Sequence, residues 1–355
     1  MKPGLPWRSA AAWTTLLALL AAWLMTWSPP GFAADGQDDV ATRSLALQRA
    51  HQSVLGVQAL AVDDARSART LGRARSGSGV VIGRDGLVLT IGYLVLEAEQ
   101  VQLVRDDGRP VPARVLGYDV ATGFGLLQAL APLGLEPAPL GRPDRLLDVD
   151  PLMVVSGGED GAVSMAQLVS RRDFAGYWEY HIEGALFTAP PRRDHSGAGL
   201  FNAAGELVGI GSLLVADAAA PDDSAGTERP RRAGNMFVPV DLLTPILADL
   251  QGRGFGAASR RAWLGLNCVE QAGRIRVLRI NDDSPADVAG LEAGDQILRI
   301  DGTEVRSLDA LWKRLWAGGA PEREITLEIE RNSQPQTLKV YSVDRMKTLK
   351  RSEGI

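Results

Sequence analysis

From Val54 to about Val238 the chain runs in short stretches rich in valine, leucine and isoleucine, each cut by turn residues. Strands are read at Val54 to Val62, Gly79 to Gly83, Leu87 to Thr90, Val101 to Val104 and Val111 to Leu116, with Asp85-Gly86 and Asp107-Gly108 between them. Asp-Gly between apolar runs is a strong hairpin signal, because both central residues of the favoured two-residue turn need a left-handed backbone. Many short strands at this spacing predict a β-barrel or sandwich. Before them, Asp39 to Ala50 carries Val40, Leu45, Leu47 and Ala50 among polar residues and is read as a short helix. Residues from Ala216 to Asn235 form a long solvated loop in this reading, and no internal repeat or low-complexity tract is present.

Asp241 to Leu250 places Leu242, Leu243, Ile246, Leu247 and Leu250 at helical spacing and is expected to close the first domain with an amphipathic helix. Glycine-rich residues 251–260 are read as a linker. A second unit covers 261–345. It opens with Trp263-Leu264-Gly265-Leu266 and a strand from Ile275 to Ile280, and Ser284-Pro285-Ala286-Asp287 then supplies an N-cap, a proline in the first turn and an acid beside it. Gly294-Asp295 precedes the strand Gln296 to Ile300. Ser307 caps a helix with Leu308, Leu311, Trp312 and Leu315 on one face, strands at Glu324 to Glu330 and Thr337 to Val343 complete the unit, and residues 346–355 are a polar tail.

The first 34 residues have the form of an export signal: Lys2 and Arg8, an uncharged apolar run from Ala10 to Trp27, then Ser28-Pro29-Pro30-Gly31. Cleavage after Ala33 or Ala34 and retention as a membrane anchor are both open, since 18 residues lies near the lower limit for a span. Either outcome places the remainder outside the cytoplasm, in the periplasm or beyond. Without this segment the net charge moves from −5 to about −7, which argues against nucleic acid as a partner. Cys268 is the single cysteine, so an intrachain disulfide and a thiolate-rich metal site are excluded; it is read as a small buried residue in a strand. No residue pattern calls for a metal or cofactor.

Four groups of residues, in order and at matching spacing, carry a resemblance. They are Gly77-Ser78-Gly79-Val80-Val81-Ile82 with Asp85-Gly86-Leu87-Val88-Leu89-Thr90; Val115-Leu116-Gly117-Tyr118-Asp119; Ser196-Gly197 with Gly205-Glu206-Leu207-Val208-Gly209-Ile210; and Trp263-Leu264-Gly265-Leu266 with Ser284-Pro285-Ala286, Ala289-Gly290-Leu291 and Gly294-Asp295. Together they resemble the HtrA (DegP-like) serine proteases. The resemblance implies a mainly β fold, a chymotrypsin-like double β-barrel over 35–250 followed by an α+β PDZ domain, and homo-oligomers, often trimers.

It also implies where a catalytic triad belongs, and there this chain departs. Ser196 stands at the nucleophile position. Tyr93, in Leu89-Thr90-Ile91-Gly92-Tyr93-Leu94-Val95, stands where the family has its histidine, and Gly123, in Asp119-Val120-Ala121-Thr122-Gly123, where it has its aspartate. A serine hydroxyl needs a base to take its proton, and a phenol with a pKa near ~10 is protonated at neutral pH. None of the three histidines, His51, His181 and His195, falls in the barrel that should supply the base. His51 and His181 are read as structural or surface residues. Consecutive Asp194-His195-Ser196 cannot converge as orienter, base and nucleophile. Asp194 occupies the oxyanion position, where glycine is usual; a non-glycine residue resists a positive φ there and a carboxylate repels a developing oxyanion.

PDZ domains add a peptide as a strand to a sheet edge while loop N–H groups hold its C-terminal carboxylate. By resemblance that loop is Leu264, Gly265 and Leu266 next to Trp263, with Leu311 on the helix that walls the groove; plain core packing is the competing reading for Leu311, Trp312 and Leu315. The sequence therefore predicts an exported, catalytically degenerate HtrA-type protein that binds extended or C-terminal peptide segments as a scaffold or chaperone-like envelope protein. The competing expectation is an active serine endopeptidase using Ser196 in envelope protein quality control.

Overall fold

The alternating strands of the first half close on themselves, which leaves no sheet edge exposed to pair with other chains. The computed structural model describes residues 35–158, 160–219 and 231–350, with side chains from residue 42. The apolar segment Ala10 to Trp27, and with it the export-signal reading, lies outside these residues, as does the middle of the loop from Ala216 to Asn235. No helix among the described residues is long and apolar enough to cross a membrane.

Helix α1 (Asp35–Gln52) is longer at both ends than the sequence suggests. Six strands follow: β1 (Val54–Ala61), β2 (Ala74–Val81), β3 (Leu87–Ile91), β4 (Ala98–Val104), β5 (Pro110–Tyr118) and β6 (Phe124–Ala129). They form a closed barrel in the order β1-β2-β3-β6-β5-β4. The predicted Asp-Gly turns are present, with Gly86 at φ 84° and Gly108 at φ 74°. β3 is buried along its whole length, and Leu89, Ile91, Leu103, Phe124, Leu126 and Leu127 are fully buried, from both faces of the sheet.

The second barrel repeats the arrangement with β7 (Leu152–Val155), β8 (Val163–Ala175), β9 (His181–Ala189), β10 (Gly199–Phe201), β11 (Leu207–Val215) and β12 (Gly234–Pro239), in the order β10-β11-β12-β9-β8-β7. β8 and β9 make a long hairpin that turns at residues 176–180.

Helix α2 (Leu247–Arg253) begins later than the apolar spacing suggests, after a 3-10 turn at Val240–Leu242. Pro245 lies between them and cannot donate to a continuous helix. The glycine-rich stretch behind α2 is packed rather than free. Gly254 O accepts from Tyr118 N at 2.9 Å, and the buried Asp119 carboxylate accepts from Gly256 N at 3.0 Å and Ser259 Oγ at 2.5 Å. A β-carbon on Gly256 would lie 2.8 Å from Asp119 Oδ1, so glycine serves close approach here.

The third layer is a sheet of β14 (Leu266–Gln271), β15 (Arg274–Ile280), β16 (Gln296–Ile300), β18 (Glu324–Arg331) and β19 (Gln334–Tyr341). The short β17 (Thr303–Glu304) lies beside β16, and β13 (Ala262–Trp263) pairs with β20 (Val343–Asp344). Ser284 and Ser307 cap helical turns through their side chains as expected, and α3 (Leu308–Ala317) packs Leu311, Trp312 and Leu315 into a core with Cys268, Ile275, Ile297 and Leu327. The tail is held as far as Lys350, whose N donates to Glu97 Oε1 at 3.0 Å and whose ammonium pairs with Asp64. Residues 46–355, both barrels and this third layer, form a single compact unit.

Candidate functional site

Ser196 sits in the loop between β9 and β10, clamped between the barrels by its own backbone. Ser78 N on β2 donates to Ser196 O at 2.8 Å, and Gly197 N donates to Gly211 O on β11 at 2.8 Å. Gly197 is left-handed at φ 74°, and a β-carbon on it would come within 2.0 Å of Ser78 O, so this position admits glycine alone. Gly211 faces His195 O just as closely.

The 3-10 turn Gly92–Leu94 after β3 carries Tyr93 to this loop. Its Oη lies 2.8 Å from Ser196 Oγ and 2.8 Å from Ser212 O. A carbonyl can only accept, so the phenol proton goes to Ser212 and the Ser196 hydroxyl donates to the phenol oxygen. Burial pushes the Tyr93 pKa up to about 12, against the opposing pull of the Ser196 bond. The proton on Ser196 thus faces an oxygen that is itself protonated at neutral pH.

Gly123 stands at φ 79° in a turn closed by Gly123 N donating to Asp119 O at 2.7 Å. A β-carbon there would lie 2.6 Å from Tyr180 Oη, and that hydroxyl donates to Thr122 O at 3.2 Å. Tyr180 therefore fills the space a carboxylate at position 123 would need. Gly123 O accepts from Gly92 N at 2.7 Å, tying this turn to the one that carries Tyr93.

Asp194 does not have a positive φ, so the loop has adjusted to it rather than straining it. Its carboxylate is drawn to Ser156 Oγ at 2.5 Å and Arg192 Nε at 2.9 Å. Burial raises its pKa, but the Arg192 and Ser156 bonds outweigh that and hold it below the usual range. All three histidines are engaged elsewhere. His195 Nδ1 lies 3.1 Å from Arg192 O, His51 lies 3.7 Å from Asp106, and His181 Nε2 lies 2.7 Å from Asp309. Asp173, His181 and Asp309 converge at metal-ligand spacing, but Lys313 Nζ, at 3.1 and 2.8 Å from the two carboxylates, already supplies the cation.

In the third layer, Leu264 N (3.1 Å), Gly265 N (2.7 Å) and Leu266 N (3.0 Å) all donate to the carboxylate of Glu179, at the tip of the β8–β9 hairpin. Gly265 is at φ 86° with no room for a β-carbon against Ser284. Trp263 is buried with the Arg345 guanidinium over its ring, and Leu311 is a core residue. Cys268 is buried, and desolvation pushes its thiol pKa up.

Glu179, Tyr180 and Ser212 were not anticipated. The one local signal was Tyr177-Trp178-Glu179-Tyr180, three aromatics and an acid in succession at a hairpin turn.

Residues 77–210 match the family model of the trypsin-like peptidase domain, and residues 262–341 that of the PDZ domain. The chain joins a trypsin-like peptidase domain to a PDZ domain, the pairing of the HtrA (DegP-like) proteases it is similar to. It is 24% identical over 299 residues to the "Probable periplasmic serine endoprotease DegP-like" of Halomonas elongata, covering 76% of this chain and 56% of that protein. It is 28% identical over 281 residues to the "Putative serine protease HhoA" of Synechocystis sp., covering 76% and 71%. The chain thus spans little more than half the length of several DegP-like relatives it matches. Among solved structures, the HtrA-type protease AlgW with tripeptide superposes with TM-score 0.51 at 22% identity, over 84% of this chain and 96% of that one. The serine endoprotease from Yersinia pestis gives TM-score 0.51 at 22% identity, over 85% and 97%. The HtrA arrangement, two closed barrels followed by a PDZ domain, is the fold anticipated from the sequence.

Proposed function

We propose that this HtrA-like protein does not hydrolyse peptide bonds through Ser196, and that it acts outside the cytoplasm as a peptide-binding scaffold. The observation that carries the reading is the Ser196–Tyr93 hydrogen bond: the hydroxyl that would attack donates to a phenol that cannot take its proton near neutral pH. Tyr180 in the space beside Gly123, and the Arg192-bound carboxylate of Asp194 beside the nucleophile, support it. The family's catalytic positions are filled with packed groups, and the framework that positions them is kept.

Peptide binding is assigned to the PDZ domain, whose Leu264 to Leu266 loop presents three N–H groups to a carboxylate. Solved HtrA-type proteases with a tripeptide and with a decapeptide share this fold. Export agrees with the periplasmic relatives.

The relatives' description as serine endoproteases favours a second reading, proteolysis with Ser196 as nucleophile and a base supplied by another molecule. Labelling with a serine-directed fluorophosphonate separates the two. The scaffold reading expects no label on Ser196 beyond that of Ser196→Ala; stoichiometric labelling lost in the mutant supports the protease.

A further inference from the structure

We propose that the hairpin tip Gly176 to Tyr180 is a built-in pseudo-ligand of the PDZ groove, with the Glu179 carboxylate standing in for the C-terminal carboxylate of a peptide. An incoming C-terminus binds by displacing it. The proposal rests on the reading of the PDZ domain as a peptide site.

The tip lies as an added strand would. Trp178 pairs antiparallel with Asn267 on β14, and Cys268 N donates to Tyr177 O at 2.6 Å. On the opposite wall, Trp312 Nε1 of α3 donates to Gly176 O at 3.0 Å. Residues 176–179 therefore run between the sheet edge and the helix, toward the carboxylate loop, in the direction a bound C-terminus takes. They end with a carboxylate on three successive N–H groups. Upstream of Tyr177 the groove is only partly filled. A cavity of about 730 Å³ lies there between Asp173, Phe174 and Ala175 of the hairpin's own strand and Val269, Glu270 and Leu308 of the PDZ domain, space that the earlier residues of a longer peptide would share with that strand.

The contact is built to be exchanged. Glu179 is buried, and among the described residues it joins no direct ion pair; Arg345 and Arg261 attract it only from beyond contact distance. A buried carboxylate whose counter-charges stay out of contact is held less firmly than a directly paired one. Burial raises the Glu179 pKa, although the loop N–H groups and the Arg345 charge pull the other way. A peptide α-carboxylate ionises more readily than a glutamate side chain and brings further main-chain hydrogen bonds, so it can take over the same donors.

Release of the tip also reaches the barrels. Tyr180, the next residue, stacks on Trp178 at 5.4 Å and fills the space beside Gly123.

The test is fluorescence anisotropy on the full chain. The probe is a fluorescein-labelled peptide with the sequence of residues 171–178 and a free carboxyl end, beside the same peptide as its C-terminal amide. Wild type is compared with Glu179→Ala, with Glu179→Gln, which keeps the side-chain size and one acceptor, and with Glu183→Ala as a control for surface charge. Removing a competitor that occupies the site at least about nine-tenths of the time raises apparent affinity by the inverse of the free fraction, at least about tenfold. We expect that gain in Glu179→Ala, a smaller one in Glu179→Gln, none in Glu183→Ala and none for the amide. Hydrogen exchange should also show residues 176–182 losing protection when the free-carboxyl peptide is added to wild type. Equal affinity of wild type and both Glu179 variants overturns the pseudo-ligand and leaves the peptide site standing. An equal gain for the amide overturns the carboxylate mimicry. Binding by no form at about 1 mM peptide overturns the pseudo-ligand and the peptide site together.

Discussion

Tyr180 places its hydroxyl 2.6 Å from the point where a β-carbon on Gly123 would sit. The two residues belong to different barrels, and each explains the other: glycine leaves the space, and the phenol fills it while bonding to Thr122 O. Restoring a triad is therefore more than replacing two side chains.

Gly123→Asp should destabilise the protein by roughly 1–3 kcal/mol, because it forces a non-glycine residue to φ 79° and drives a carboxylate into Tyr180. In a denaturant-unfolding cycle with Tyr180→Ala, the two substitutions should couple by more than about 0.5 kcal/mol, with the clash relieved in the double mutant. Strict additivity would remove Tyr180 as the cause.

Tyr93→His with Gly123→Asp should leave casein cleavage at the level of wild type. The carboxylate cannot reach an imidazole past Tyr180, and Asp194 still stands beside the nucleophile. Only combination with a small residue at 180 opens the position, so activity appearing in the double mutant would show that the packing around Gly123 yields more easily than described.

Reactivity of Ser196 should be flat between about pH 6 and 10. Burial raises the Tyr93 pKa to about 12, so the phenol stays neutral throughout that range and no base is gained as pH rises. A pH profile of fluorophosphonate labelling checks this; a rise centred near ~6.5 would point to an imidazole.

In the PDZ domain, Arg331 grips the buried carboxylate of Asp295 with two bonds of 2.7 Å. Arg331→Met should cost about 3–5 kcal/mol, since it strands that charge. Burial raises the Asp295 pKa, but Arg331 and the Glu292 N–H overcome it and leave it lowered. The stability this gives is present above the ordinary aspartate value of 3.8 and is lost as pH falls through the lower folded value. Urea unfolding of wild type and Arg331→Met across acid pH should therefore converge only below that value.

What the sequence could reveal was local. Asp85-Gly86 and Asp107-Gly108 announce hairpins because turn chemistry acts within four residues, and Ser284 and Ser307 announce caps for the same reason. The vacated catalytic positions at Tyr93 and Gly123 were visible by alignment to the family pattern. Their occupancy was not, because Ser212 arrives from a strand and Tyr180 from a hairpin turn about 119 and 58 residues away along the chain. Gly254 and Gly256 were read as part of a glycine-rich linker, and composition alone does not show the close backbone approach they make. Glu179 was missed for the deeper reason that its partners, Leu264 to Leu266, were recognised as a carboxylate site while the carboxylate was assumed to come from another molecule.

The central claim, that Ser196 is no longer a nucleophile, is tested most directly by incubating the purified protein with casein beside Ser196→Ala. The account predicts the same absence of cleavage in both, with folding and peptide binding unchanged by the mutation. Casein cleavage by the wild type that disappears in Ser196→Ala would contradict it.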